Sequence, residues 1–307
     1  AEVGDFYVKK GNEFYKQEKW DQAIEQYTLA IGINPGHMGA RQNLGLAYQS
    51  KRDFTHAIEV FQAMKKDDPL FVPAYISLGL VYVQKGRYKD AEREYTDAVN
   101  MERDNLVAHL NLAAVLAKQG EFARASRAAR RGLKISPSSP HLHLLLANIN
   151  YSMQKYPAAA LEYQKALKAE PQATVPRVNL AMALAQIGKF DQALTQMEIV
   201  RRLEANLPQI PLFLGKIHAM RYRKEQKGWK EAVAEFRKAA RALPEDIEIC
   251  KELGDILAEN AQYTEARKWY HRVLESPRAS VGDRDSIESK MRAWPKEAPR
   301  ANVSSQL

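Results

Sequence analysis

Residues 38–71 read Met38-Gly-Ala-Arg-Gln-Asn-Leu-Gly-Leu-Ala-Tyr-Gln-Ser-Lys-Arg-Asp-Phe-Thr-His-Ala-Ile-Glu-Val-Phe-Gln-Ala-Met-Lys-Lys-Asp-Asp-Pro-Leu-Phe71. Leu44, Gly45 and Tyr48 fall on one face of a first helix at helical spacing. Ala57, Phe61 and Met64 do the same on a second. A small residue in each helix lets the two backbones approach, and the aromatic fills the space beside them. Pro69 stops the second helix.

The pattern recurs along the chain with a period of 34 residues. Eight units follow: 4–37, 38–71, 72–105, 106–139, 140–173, 174–207, 208–246 and 247–280, the seventh lengthened by five residues. The eighth position is always Gly or Ala: Gly11, Gly45, Gly79, Ala113, Ala147, Ala181, Gly215 and Gly254. The seventh is Leu except for Lys10 in the first unit. An aromatic stands three residues before an invariant alanine, as in Trp20/Ala23, Phe54/Ala57 and Tyr263/Ala266. Four residues further on comes a large apolar side chain in seven units, with Ala129 in the fourth. There are two amphipathic helices per period, short turns and no strand signal.

Eight units in phase, with an all-alanine and an all-aromatic column, resemble the tetratricopeptide-repeat family over about nine-tenths of the chain. The resemblance implies an all-α fold, an α-solenoid of tandem helix–turn–helix units wound into a right-handed superhelix. The repeats make a single domain over 4–280; after Arg278 the pattern is lost, and 281–307 read as a capping helix, over 283–294, and an extended tail. Ile287, Met291 and Trp294 would lie on one face of that helix and cover the last repeat.

Composition bounds the function. The 307 residues carry a net charge of +9, 45% are hydrophobic, and no apolar run has the length of a membrane span. The basic balance favours an acidic partner, an anionic membrane surface or nucleic acid. Cys250 is the lone cysteine, so there is no internal disulfide and no cysteine zinc cluster. The chain begins at Ala1 rather than Met. Localisation is left open between an exported or periplasmic protein, if Ala1 is a processed terminus, and a cytoplasmic one.

Binding in the resembled family runs through the concave face, which the first helix of each unit builds. Carried onto this chain, the resemblance singles out asparagines: Asn12, and the series Asn43, Asn111 and Asn179 at the sixth position of alternate units. A primary amide offers both donor and acceptor, so it pairs with a peptide backbone whatever the side chains are. An apolar middle of Ile76, Leu80, Leu110, Leu144 and Met182 would take those side chains, or would be partly buried between helices. An acidic end, Glu248, Glu252, Asp255 and Glu259, shares one face at spacings of four, three and four. It would take a basic segment or stand solvated. Basic residues mark the outer surface at Arg124, Arg127, Arg130 and Arg131, and at the inserted corner of Arg221, Arg223, Lys224 and Lys227.

The carboxylate clamp of chaperone-tail-binding members of this family is incomplete. Asn12 and Asn43 occupy its asparagine places, but Val8, Pro73 and Ser77 stand where its cations belong. His141 and His143 are two apart and do not share a helix face, while His109 and His143 hold equivalent places in adjacent units and suit packing roles. No phosphate loop, nucleophile elbow, metal set or cofactor motif is present, so no catalytic residue is assigned. Three readings follow. The first is a non-catalytic scaffold that binds a protein or peptide segment in the groove. The second is a structural subunit of a larger envelope, secretion, pilus or respiratory-type complex, with self-association possible. The third is attachment to nucleic acid or a membrane surface through the basic stripes, against which the core placement of the aromatics argues.

Overall fold

A computed structural model describes residues 2–294, in which the two helices of each repeat pack against one another. The first helices of the eight repeats are α1 Glu2–Lys16, α3 Met38–Ser50, α5 Val72–Gln84, α7 Leu106–Lys118, α9 Pro140–Ser152, α11 Thr174–Gln186, α13 Ile210–Glu225 and α15 Ile247–Glu259. Their partners are α2 Trp20–Ile33, α4 Phe54–Asp67, α6 Tyr88–Met101, α8 Phe122–Ile135, α10 Tyr156–Ala169, α12 Phe190–Leu203, α14 Trp229–Ala242 and α16 Tyr263–Glu275. A further helix, α17 Val281–Arg292, follows the last pair. The extended tail expected from residue 295 onward lies outside the described residues.

The described residues form two compact units, one running to Ala169 and one from Glu170. In both, the repeat columns become core. Ala23, Ala57, Ala91, Ala125, Ala159, Ala193, Ala232 and Ala266 are all fully buried. The small eighth position and the apolar position of the second helix meet directly. An added Cβ on Gly45 would lie 2.5 Å from the Phe61 ring, and one on Gly254 would lie 2.4 Å from Tyr270. Glycine stands at that position in five of the six repeats that set a ring against the first helix. Alanine stands at that position opposite Ala129 and Met197. The fifth repeat fits an alanine, Ala147, beside Tyr163.

Two devices close the turns. Within a repeat, the fifteenth residue is left-handed: Glu18, Arg52, Gln154 and Ala261 take this conformation as well as Gly86, Gly120 and Gly188. The amide after it returns to a carbonyl five residues back, as in Lys19 N to Phe14 O (3.0 Å) and Asp53 N to Tyr48 O (2.9 Å). Entering the third to sixth repeats, the fourth residue of the incoming helix donates to the carbonyl six residues earlier. Tyr75 Oη reaches Pro69 O at 2.8 Å, His109 Nε2 reaches Arg103 O at 2.8 Å, and His143 Nε2 reaches Pro137 O at 2.9 Å. Arg177 does the same to Pro171 O. Three chemistries thus latch the same joint.

α13 has 16 residues where α11 and α15 have 13, so the inserted residues add about a turn. The left-handed Gln226 and Gly228 then redirect the chain into α14. At the other end, α17 starts with a Ser280–Asp283 capping box. It buries Ile287 beside Cys250, Tyr270 and Val273, with Met291 and Trp294 packed on the same cluster.

Candidate functional site

In the first unit the first helices form a layer of their own. α1 packs on α3, α3 on α5, α5 on α7 and α7 on α9, whereas the second helices chiefly pack on the first helices around them. Side chains tie the layer together at fixed register. Gln42 Nε2 donates to Ser77 Oγ at 2.6 Å, which joins the fifth position of one repeat to the sixth of the next. Asn43 Nδ2 donates to Asn12 Oδ1 at 3.0 Å, which joins sixth to ninth. Gln49–Gln84 (3.1 Å) and Tyr15–Ser50 (2.8 Å) join twelfth to thirteenth.

This register separates the asparagines of the expected series. Asn12 Oδ1 also accepts from Tyr27 Oη at 2.7 Å, so both of its lone pairs are used and Asn43 is held with it. The two are parts of the scaffold rather than open amides. Asn179 also has an interaction partner. Asn111 differs. The spacings of 35 and 31 residues that set Gln42 against Ser77 and Asn12 against Asn43 set Ile76 and Leu80 beside Asn111. Neither offers a hydrogen bond, and the half-buried Asn111 amide has no bond within the described residues. On the same three helices Ile76, Leu110 and Leu144 are half-buried, while Leu80 is 37% exposed. The α5–α7–α9 face therefore presents an open amide among partly exposed aliphatic side chains. Met182, half-buried, and Val178, buried, belong with Asn179 to α11 of the second unit.

The acidic stripe of α15 is answered by the chain's own cations. Lys251 meets Glu248 and Asp283, both at 2.8 Å; Arg223 meets Glu259 at 2.9 Å and Glu252 at 3.8 Å; Lys290 meets Asp255 at 2.7 Å. Asp255 also accepts the Tyr270 hydroxyl. Burial, and then this hydrogen bond to a carboxylate, raise the Tyr270 phenol far above its ordinary value. The hydrogen bond from Lys251 holds Asp283 far below the usual carboxylate range. Two of these cations, Arg223 from the insertion and Lys290 from α17, come from outside the regular repeat.

The basic residues divide in the same way. Arg221 is held by Asp191 and Glu225, both at 3.1 Å, and Lys224 lies over Gly188. Arg124 meets Glu92 at 2.6 Å. Arg127, Arg130, Arg131 and Lys227 are exposed and have no partner among the described residues. His109 and His143 are both buried, and each latches its own turn; His143 also meets Glu162 at 2.6 Å. Among the described residues no group of three or more His, Cys, Asp or Glu is placed to hold a metal, and no helix is long and apolar enough to cross a membrane.

One coupling was present in the sequence and not recognised there. Where the second helix carries tyrosine four residues after the invariant alanine, the ninth position of the first helix supplies an acceptor in three cases of four. Tyr27 pairs with Asn12 and Tyr163 with Asn148, both at 2.7 Å, and Tyr270 pairs with Asp255. Where that place on the second helix holds Phe61, Ala129, Met197 or Phe236, the ninth position is Leu46, Ala114, Met182 or Lys216. Asn12 and Asp255 thus serve the core.

Known proteins place the chain in a class. Models described as tetratricopeptide repeat match residues 82–149, 174–198 and 218–280, and one described as TPR repeat matches 11–51. The chain belongs to the tetratricopeptide-repeat family. Among curated proteins, the Hsp70-Hsp90 organising protein of Plasmodium falciparum (isolate 3D7) is 39% identical over 56 residues, which are 18% of this chain and 10% of that protein. The chloroplastic tetratricopeptide repeat domain-containing protein PYG7 of Arabidopsis thaliana is 29% identical over 68 residues, 22% of this chain and 23% of that protein. The matched stretches thus span less than a quarter of these relatives. Among solved structures, Pseudomonas aeruginosa pilF superposes with a TM-score of 0.60 at 18% identity, over 70% of this chain and 98% of that one. The C-terminal part of a TPR repeat-containing protein from Cytophaga hutchinsonii gives 0.62 at 16% identity, over 80% and 99%. At these identities the likeness concerns the fold, an all-α solenoid.

Proposed function

We propose that this chain is a non-catalytic protein-interaction scaffold that takes a partner segment, extended or helical, on the α5–α7–α9 face. The observation that carries this reading is the Asn111 amide. It lies half-buried, without a hydrogen bond, between Ile76 and Leu80 in a layer where Gln42, Asn43 and Gln49 are each bonded to the neighbouring repeat. A bound backbone would satisfy its donor and acceptor, and the partner's apolar side chains would cover Leu80 and Leu144. Family membership and the chaperone-organising relatives support a protein or peptide as the partner class. The charge pattern of this chain points away from an acidic chaperone tail, because Val8, Pro73 and Ser77 stand at the cationic places of the clamp.

The test uses peptides selected from a random display library on the immobilised full chain. Their affinities are then measured against Asn111→Ala and Leu80→Asp. Loss of the amide should weaken the selected peptides by about three- to ten-fold irrespective of their sequence, the worth of one or two hydrogen bonds. Leu80→Asp should weaken most those peptides with apolar anchors. If both variants bind every selected peptide as the parent does, the face is not the site.

A further inference from the structure

α8 is unlike every other second helix. Its sequence, Phe-Ala-Arg-Ala-Ser-Arg-Ala-Ala-Arg-Arg-Gly-Leu-Lys-Ile, has no acidic residue, while each of the other seven has at least one. At about 100° per residue, Arg124, Arg127, Arg130, Arg131 and Lys134 share an arc of about 120° and a length of about 15 Å. The opposite arc is the buried one, made only of Ala125, Ala128, Ala129 and Gly132. Arg124 is held by Glu92, but Arg127, Arg130, Arg131 and Lys134 are exposed and have no partner among the described residues. Elsewhere in the same unit Arg41, Lys51, Lys65 and Arg87 all have carboxylate partners.

Comparison between repeats shows where the missing acid would be. In the fifth repeat Glu162 stands on α10 and meets His143. In the third, Glu94 stands at the same register on α6 and meets Lys65. In the fourth, that place is Ala128. Beside the cationic row lies a cleft of about 470 Å³ bounded by Arg103, Asp104, His109, Arg131 and Lys134. The bond from His109 Nε2 to the Arg103 carbonyl (2.8 Å) fixes the turn that carries Arg103 and Asp104. Arg103 is a fifth exposed cation without a partner among the described residues.

We propose that α8 and this cleft form a second docking site, on the second-helix layer of the first unit, for an acidic segment of a partner protein rich in Asp and Glu. Guanidinium groups suit discrete carboxylates, which they grip with two parallel hydrogen bonds. A phosphodiester strand fits less well. It places a charge at every link, including against Asp104, and it lacks a stacking platform because Tyr88, Tyr95 and Phe122 are core residues rather than exposed ones. A chain with both sites would hold one partner segment through its backbone at Asn111 and another through its charge at α8.

The experiment titrates the full chain with a fluorescein-labelled dodecapeptide of alternating Glu and Ala, at low and physiological salt. Arg127→Glu/Arg131→Glu/Lys134→Glu should weaken binding by at least about ten-fold, while reversing Lys9, Lys16 and Lys19 together should leave it within about two-fold. Arg127→Gln/Arg131→Gln/Lys134→Gln repeats the measurement without adding acid to the surface. Asp104→Asn should tighten binding by about two-fold, a gain that misfolding cannot imitate. Equal losses for the α8 and the control reversals would overturn the proposal, since net charge alone would then account for binding. Single-stranded DNA or phosphatidylserine vesicles that outcompete the peptide and are lost with the same α8 variants would also overturn it. Binding at Asn111 is unaffected in every arm, so failure here is distinguishable from failure of the first site.

Discussion

Replacing Gly45 with alanine sets two effects of opposite sign against each other. Alanine in mid-helix gains about 1 kcal/mol over glycine from backbone entropy. Against this, the new Cβ would meet Phe61 at 2.5 Å from Cε1, 2.5 Å from Cζ and 3.1 Å from Cδ1. Phe61 is fully buried, so its ring cannot swing into solvent. It must retreat by about 1 Å to reach ordinary van der Waals separation, and overpacking of this kind costs about 1–3 kcal/mol. The net expectation is a loss of about 1 kcal/mol. Gly32→Ala is the control, because nothing lies within 4 Å of its added Cβ; it should gain up to about 1 kcal/mol. Phe61→Ala alone should cost about 3–5 kcal/mol. In that background Gly45→Ala should turn stabilising, so the cycle closes with a coupling of about 2 kcal/mol. The fourth repeat already has this pairing, Ala113 with Ala129. Hydrogen exchange at the amides of α3 and α4 is the suitable assay, because repeat arrays unfold locally rather than all at once. If Gly45→Ala protects those amides as much as Gly32→Ala protects α2, the ring does not lie against the first helix and the account of the Gly/Ala column fails.

Two further outcomes can be checked on the same preparation. Tyr27→Phe removes a bond to Asn12 and should cost about 1 kcal/mol, whereas Tyr95→Phe, opposite Leu80, should cost less than about 0.5 kcal/mol; chemical denaturation separates them. Alkali adds to this. Burial lifts the Tyr27 phenol to about 12, so the associated stability is full below the unfolded value near 10 and falls as pH rises from there toward 12. Acid acts at the other end of the chain. The Asp283 carboxyl is held low by Lys251, so its contribution is full above the ordinary carboxylate value near 4 and fades as pH falls below it. α17 should lose amide protection in that acid range before α15 does, and Asp283→Asn should bring the same loss to α17 already at neutral pH.

The repeat columns were legible because each column residue does the same packing job in every unit. Leu44, Gly45, Ala57 and Phe61 explain themselves by period and size alone. The left-handed turn residue was less visible. Glu18, Arg52, Gln154 and Ala261 give no sign of it, since the returning backbone bond rather than glycine enforces the conformation. The site was legible as residues and not as states. Asn43 and Asn111 look alike in sequence, and what separates them stands 31 and 35 residues earlier: Asn12 and Val8 in one case, Leu80 and Ile76 in the other. Reading each position against the fifth and ninth of the preceding repeat would have found this. The neutralised acidic stripe was out of reach of any such comparison, because Arg223 and Lys290 come from segments that break the period.

The latches between repeats have a mechanical consequence. A phenol and a guanidinium are donors at any acidity from acid to neutral. Tyr75 and Arg177 therefore hold their carbonyls throughout that range. These two joints, one in each unit, are blind to acid, which acts on the terminal cap beside Asp283. Such an array would fray from its end with these two hinges still shut.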